Sequence, residues 1–325
     1  MKLKDLRQPF FDYKSKRIKP STLMIYMSAI DNIILPYFED DIDEGINNKQ
    51  INKFAEYLIE SGHSVKYSMD IKTILGTMLN FANTRYDIPL HRWNISWPSI
   101  NTRSMKKMKF FTKDECKKIF DLMEANPDPR LFGLVIGLTT GLRIGEICGL
   151  RFNDVDFDSK IIHVQRTVER IYHKGMLDSL SVDFEKCSYS QASCKSTKVV
   201  LSKPKTIHSD RLCPLTKMTL KWLKKYAAVS TPDSYILTLK PYVLEPRTFR
   251  NYYYHILDSL GLPRLNPHSM RHTFATQMLH NKVDVATIAA ILGHSSPAIT
   301  LSIYSHTNEE EKAKAVNNVF GKMYK

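Results

Sequence analysis

Between Ser21 and Tyr86 apolar residues return every three or four positions, the spacing that lines one face of a helix. Leu23, Met24, Met27, Ile30, Ile33 and Ile34 make the first such run. Ser21 stands where an N-cap belongs, and Pro36 stands where the run should stop. Ile51, Phe54, Ala55, Leu58 and Ile59 make a second run, ended by Gly62. Tyr67, Ile71, Ile74, Leu75, Met78 and Phe81 make a third. Stripes of this kind bury themselves against one another, so the pattern predicts a compact helical module.

The pattern breaks at Trp97-Pro98-Ser99-Ile100-Asn101-Thr102-Arg103-Ser104, followed by Lys106, Lys107 and Lys109. Proline, small polar residues and clustered lysine mark a linker, either a solvated connector or a strap that tracks a phosphate backbone. Thr112 and Glu115 then have capping-box spacing, so a new helix begins there. The expected division is residues 1–104, helical with the linker at its end, and residues 105–325. In the second part Ile161–Val164, Lys198–Leu201 and Arg211–Leu215 read as strands. Pro214 cannot donate to a ladder, which puts the third at an edge. Residues 172–196, between the first two strands, carry Ser, Asp, Lys and Cys without period and read as an extended hairpin tip or a mobile insertion. Beyond Trp222 the pattern is helical again. The predicted fold is mainly α with a small antiparallel β-sheet, a helical domain followed by an α+β domain.

Composition narrows the partners. The chain has 325 residues, 43% of them hydrophobic, enough for two buried cores. Its 47 Lys and Arg against 33 Asp and Glu leave a formal charge of +14. That surplus favours a polyanion, most simply nucleic acid, although charge alone also suits an anionic membrane or an ordinary basic protein. No apolar stretch approaches the length that spans a bilayer, and the basic N-terminus lacks a signal-peptide core. The 5 cysteines are an odd number without framework spacing, so a reducing cytoplasm is expected. Cys187 and Cys194 lie close, but two further ligands are not evident and no metal site is expected.

Four separated segments carry candidate chemistry. In Thr140-Gly141-Leu142-Arg143-Ile144-Gly145-Glu146, Gly141 permits a sharp turn, and Arg143 and Glu146 at i,i+3 share a helical face. Such a pair is either a surface salt bridge or a guanidinium held in shape for a phosphate. Ser202-Lys203-Pro204-Lys205-Thr206 opens a basic turn between two strands, where a lysine is either solvated or reaches a DNA groove. His268 and Arg271 again stand at i,i+3, as a phosphate cradle or as incidental polar residues on a capped helix. Finally Gly293 closes a helix bearing Val285, Ile288, Ala289 and Ile291, with His294 next. Ser296-Pro297 starts another helix, which carries Tyr304 two turns in.

Taken in order, Arg143, Lys205, His268-x-x-Arg271, His294 and Tyr304 resemble the active-site pattern of the tyrosine recombinases, the phage integrase family. The strings TGLRIGE, PKT-x-x-S-x-R, HSMRHTFAT and LGHSS-x-x-x-T-x-x-Y are similar to that family's motif boxes in order and spacing. The resemblance covers about Lys109 to His306 and extends more loosely to the helical module, which is similar to the family's core-DNA-binding domain. Fewer than about twenty residues precede that module, so a separate arm-site-binding domain is not expected.

The resemblance implies an integrase that cuts and rejoins DNA through a 3′-phosphotyrosyl intermediate, without ATP, metal or other cofactor. It gives Tyr304 the nucleophile's role and gives Arg143 and Arg271 the non-bridging oxygens. Lys205 becomes the general acid, with Lys203 as its fallback. His268 accepts or relays the tyrosine proton, His294 donates to the phosphate, and Glu146 supports the arginine helix. Lys106, Lys107 and Lys109 are candidate DNA contacts. The implied partners are double-stranded attachment sites, sister protomers in a tetramer, and an excisionase or host bending factor, at the nucleoid and not at a membrane. The tail from Asn308 to Lys325, with Ala313, Ala315, Val316, Val319 and Phe320, is expected to form an amphipathic helix that docks on a neighbour or on its own domain. A type IB topoisomerase-like relaxing enzyme and a non-catalytic DNA-binding protein of the same fold are the alternatives.

Overall fold

Residues 1–39, 42–98, 109–172, 197–202, 210–294 and 296 are described by the computed structural model, and contacts divide the chain into two units, Met1–Lys106 and Lys107–Lys325.

The first unit is helical. A 3-10 turn at Leu3–Leu6 leads into α1 (Arg7–Ser15). The hydrophobic pattern did not announce this helix, because only Phe10 and Phe11 of α1 are buried. Next come α2 (Pro20–Ala29), a π-helical turn at Ile30–Ile34 and α3 (Leu35–Tyr37). Two expectations are corrected here. Lys19 takes the N-cap position and Pro20 opens α2, where a missing N–H needs no partner, so Ser21 is not the cap. Pro36 does not stop the run either. The π turn precedes it, so Pro36 falls in the first turn of a fresh helical segment.

The other helices of this unit are α4 (Asn48–Glu60) and α5 (Val65–Tyr86). Asn47 and Gln50 form a capping box on α4, and Ser64 caps α5. Ile51, Phe54 and Leu58 of α4 and Ile71, Leu75 and Met78 of α5 are buried as the spacing predicts. The chain beyond α5 returns along α4. Trp93 Nε1 donates to Ile46 O at 2.7 Å, and Asn94 N donates to Asn48 Oδ1 at 2.8 Å.

In the second unit α6 (Lys113–Ala125) precedes α7 (Pro129–Thr140), whose Leu131, Phe132, Leu134, Val135, Ile136 and Leu138 are all buried. A helix apolar on every side belongs at the centre of a core. Around it lie α6, α8 (Ile144–Cys148), α9 (Lys217–Ala227), α10 (Pro246–Ser259) and α11 (His268–His280). A small satellite core of Ala275, Ile288 and Leu292 seats α12 (Val285–Leu292) on α11.

The strands are β1 (Val155–Asp156), β2 (Ile161–Val164), β3 (Thr167–Tyr172), β4 (Thr197–Ser202) and β5 (Arg211–Pro214). They make two antiparallel sheets, one ordered β1-β2-β5 and the other pairing β3 with β4. β5 lies at an edge, as Pro214 requires. β1 and β3 were not anticipated. The β3–β4 ladder runs to Tyr172 opposite Thr197, so the extended hairpin tip expected at residues 172–196 falls between paired strands, and residues 173–196 themselves lie outside the described residues. The basic turn lies between β4 and β5. β4 pairs with β3 and β5 with β2, so the strands on either side of the basic turn belong to different sheets, and residues 203–209 themselves lie outside the described residues.

The predicted capping box of α6 is present: Thr112 N donates to Glu115 Oε2 at 2.7 Å, and Glu115 N donates to Thr112 Oγ1 at 3.2 Å. Thr112→Ala should lower the stability of the second unit by about 1 kcal/mol, read as a shifted denaturant midpoint with unchanged slope.

Candidate active site

The site begins with a turn. α7 ends at Thr140, and Gly141 takes a left-handed conformation at φ +68°. A β-carbon there would lie 2.5 Å from Leu292 Cδ2 and 2.8 Å from Phe274 Cδ1, so glycine is demanded by space as well as by φ. The turn delivers Arg143 to the N-cap of α8. Arg143 and Glu146 therefore do not share a helical face as expected; Glu146 reaches back to the cap. Its Oε2 accepts from Arg143 N at 2.8 Å, and its Oε1 accepts from Arg143 Nη1 at 2.8 Å.

This pair is not a surface salt bridge. Glu146 is 5% exposed, and its carboxylate also receives Arg211, the first residue of β5. Arg211 Nη1 donates to Oε1 at 3.2 Å and Nη2 to Oε2 at 3.0 Å. Burial alone would raise the Glu146 carboxyl; the hydrogen bonds and charge of Arg211, then of Arg143, overcome that and hold it below the ordinary carboxylate range. Arg143 keeps 40% of its side chain exposed, leaving part of its guanidinium open to a ligand.

Arg271 stands one turn into α11 and is 2% exposed. Its Nη1 donates to Gly141 O at 3.0 Å, which pins the turn before Arg143. Its Nη2 donates to Leu292 O at 2.7 Å. Arg211 Nε donates to the preceding carbonyl, Ile291 O, at 2.6 Å. Two guanidiniums thus satisfy successive carbonyls at the C-terminal end of α12, where carbonyls lack partners and the helix dipole is negative.

That same end sets His294. Gly293 is left-handed at φ 66°, Gly293 N donates to Ala290 O at 3.1 Å, and His294 N donates to Ala289 O at 3.0 Å. These are the two bonds of a Schellman motif, so the backbone of His294 is fixed by the helix it follows.

His268 opens α11, with the ring of His272 edge-on at 4.6 Å between centroids. Lost hydration first, then the proximity of His272, Arg271 and Arg143, pushes the His268 imidazole down to about 4. His294 is likewise pushed down to about 4, by burial first and then by Arg271 and Arg143. Both rings are neutral at pH 7, each with one N–H to donate and one nitrogen to accept.

Arg143, Glu146, His268, Arg271 and His294 are therefore neighbours. Lys205, its fallback Lys203, Tyr304, and the linker lysines Lys106 and Lys107 lie outside the described residues, as does the tail from Asn308. Lys109 is exposed on the extended approach to α6, two residues before Phe111, whose N–H donates to Thr273 Oγ1 at 2.9 Å. Arg211, which ends the PKT-x-x-S-x-R string, received no role from the sequence. Alternation along β5 puts it on the same side as Cys213, facing the core, and an inward arginine on a strand requires a buried anion. That was the signal available.

The depressed histidines predict an acid response. An unfolded histidine titrates near 6.5, whereas His268 and His294 titrate at about 4. Between those values the unfolded chain binds protons that the folded chain refuses, so stability must fall as pH drops from 6.5 towards 4. Denaturant midpoints measured across pH 7 to 4.5 should decline, and the double variant His268→Asn, His294→Asn should flatten that slope; an equally steep slope in the variant would refute the assignment.

Comparison with known proteins agrees with this geometry. The family model described as the phage integrase family matches residues 109–311. A tyrosine recombinase XerC-like protein of Caldanaerobacter subterraneus is 27% identical over 293 residues, 84% of this chain and 71% of that protein. The ICEBs1 integrase of Bacillus subtilis is 25% identical over 307 residues, 89% of this chain and 74% of the integrase. Among solved structures, the Tn1549 transposon integrase in complex with a circular intermediate DNA superposes with a TM-score of 0.76 at 17% identity, covering 98% of this chain and 99% of that one, a likeness of fold. With two arginines and two histidines gathered from separate segments inside the matched region, the chain belongs to the phage integrase family and is a tyrosine recombinase.

Proposed function

We propose that this recombinase integrates and excises a mobile element by cutting and rejoining DNA through a 3′-phosphotyrosyl intermediate. The observation that carries the reading is the proximity of Arg143, Arg271, His268 and His294, with the two arginines fixed by hydrogen bonds to Glu146, Gly141 O and Leu292 O. Fixed cations and N–H donors around one point suit a phosphate whose non-bridging oxygens gain charge in the transition state.

In this reading the Tyr304 oxygen attacks the scissile phosphorus, the bond to the 5′-oxygen breaks, and a 3′-phosphotyrosyl link forms. The phenolic proton leaves through His268, which is neutral and has a free acceptor at pH 7. Lys205 returns a proton to the departing 5′-oxygen. Arg143 and Arg271 bind the non-bridging oxygens, and His294 donates its single N–H to the same phosphate. One phosphoester replaces another, so rejoining is the same step reversed with a new 5′-hydroxyl. Glu146 holds Arg143 in register.

The first unit is assigned to core-site DNA binding and the second to catalysis, with the boundary near residues 104–106 and Lys106, Lys107 and Lys109 approaching the DNA backbone. The working assembly is a tetramer on two attachment sites, with an excisionase or host bending factor setting direction, at the nucleoid. Related folds include a lambda integrase tetramer bound to a Holliday junction, TM-score 0.61 at 18% identity, which supports that assembly. The topoisomerase-like and non-catalytic alternatives are disfavoured, because the relatives carry recombinase and integrase names.

A nicked suicide duplex carrying the element's own attachment site tests this. The native protein should form a covalent DNA adduct, Tyr304→Phe should form none, and both should bind the duplex with similar affinity. An adduct that persists in Tyr304→Phe would mean another nucleophile.

A further inference from the structure

Arg211 joins two parts of the site. Its fork grips both oxygens of Glu146, the carboxylate that holds the main chain and side chain of Arg143. Its Nε donates to Ile291 O, the carbonyl before the one that Arg271 holds, and three residues before His294. Two positions along the strand, Cys213 Sγ also lies 3.5 Å from Ile291 O. The side chain is 5% exposed, and its Nε, Nη1 and Nη2 all donate inward, to Ile291 O and to the two oxygens of Glu146. We propose that Arg211 is a positioning residue for strand cleavage, one that sets Arg143 through Glu146 and His294 through the end of α12 at the same time.

The chemistry explains why arginine is needed. Holding a planar carboxylate with two parallel N–H bonds while the third nitrogen turns to a carbonyl uses the rigid geometry of one guanidinium. A lysine ammonium is a point charge with no fixed fork, so it can neutralise Glu146 or reach Ile291 O but cannot fix the two in register. Without that register the guanidinium of Arg143 and the imidazole of His294 lose their common frame. Displacement of a catalytic group by about 1 Å is enough to slow chemistry roughly 100-fold.

This inference rests on the recombinase reading, and the experiment separates the two. Single-turnover adduct formation is measured on suicide duplexes with either an ordinary scissile phosphate or a methylphosphonate, which lacks one non-bridging charge. Native protein, Arg211→Lys and Arg211→Met are compared, alongside duplex affinity and thermal unfolding. Arg211→Lys should fold, bind the duplex normally and cleave the phosphate about 100-fold more slowly. The methylphosphonate should restore about 10-fold of that loss, because less charge then depends on Arg143. Native-like cleavage by Arg211→Lys would overturn the proposal. So would equal slowing on both duplexes, which is what general loosening of the fold produces. Arg211→Met, which also removes the charge, should be slower than Arg211→Lys; if both variants unfold, the residue is structural and the proposal fails. Absence of any adduct with native protein would sink the recombinase reading itself, an outcome distinct from all of these.

Discussion

Guanidinium groups packed side by side repel, and the second unit keeps Arg143 and Arg211 together by placing one carboxylate between them. Both donate to Oε1 of Glu146, which is nearly inaccessible to water. Burying such charges is costly, and their mutual attraction compensates only when the hydrogen bonds are complete. Here the guanidinium of Arg211 meets two carboxylate oxygens and a carbonyl, so the arrangement is closed on the inner side. On the other side Arg143 keeps 40% of its side chain exposed. Loss of the carboxylate would leave buried positive charge uncompensated, at a cost of about 3–5 kcal/mol. The residue that organises the site is thus also one on which the fold depends.

This arrangement forms only with the whole unit. The Arg211–Glu146 contact closes over 65 residues, and the Arg271–Gly141 contact over 130. Neither can be held by local structure, and the entropy of closing such loops must be offset by the core around α7 before the polar network forms. The rigid parts are therefore the central helix, the edge strand and the C-terminus of α12. The candidate phosphate ligands are fastened to them by main-chain carbonyls, by caps and by the buried carboxylate of Glu146. Fixed donors of this kind need little reorganisation when charge develops nearby.

Much of this could be read from residue spacing. The stripes at Ile51–Ile59 and Tyr67–Phe81 are helices because their apolar faces are wide and regular, and the Thr112–Glu115 box starts α6 where expected. Failures occurred where the signal was tertiary. α1 offers two phenylalanines and no stripe. The π turn before Pro36 is invisible to a rule about proline in helices. β3, Thr167–Tyr172, mixes charge with apolar residues, and Gly145 of α8 is so near that a β-carbon would lie 2.7 Å from Val168 O. At the site, the i,i+3 spacing of Arg143 and Glu146 revealed their proximity but misjudged the geometry, since Arg143 is the cap. Arg211 was read as part of an edge strand, and its partner lies in a segment that spacing along β5 cannot reach.

The electrostatics of the cluster point in one direction. Three arginines lie near His294, and Arg143 and Arg271 lie near His268, so neither ring readily takes a proton of its own. A histidine that stays neutral at pH 7 keeps a lone pair, which an imidazolium lacks. A phosphodiester placed among these groups would cancel part of the positive field and raise the affinity of both rings for protons. Proton acceptance thus becomes easier when substrate charge is present and stays difficult without it. A nucleophile relying on His268 would lose its proton more readily beside a bound phosphate than in the free enzyme. Activation and binding are then coupled through the same charges, with no moving part required beyond the arrival of the DNA.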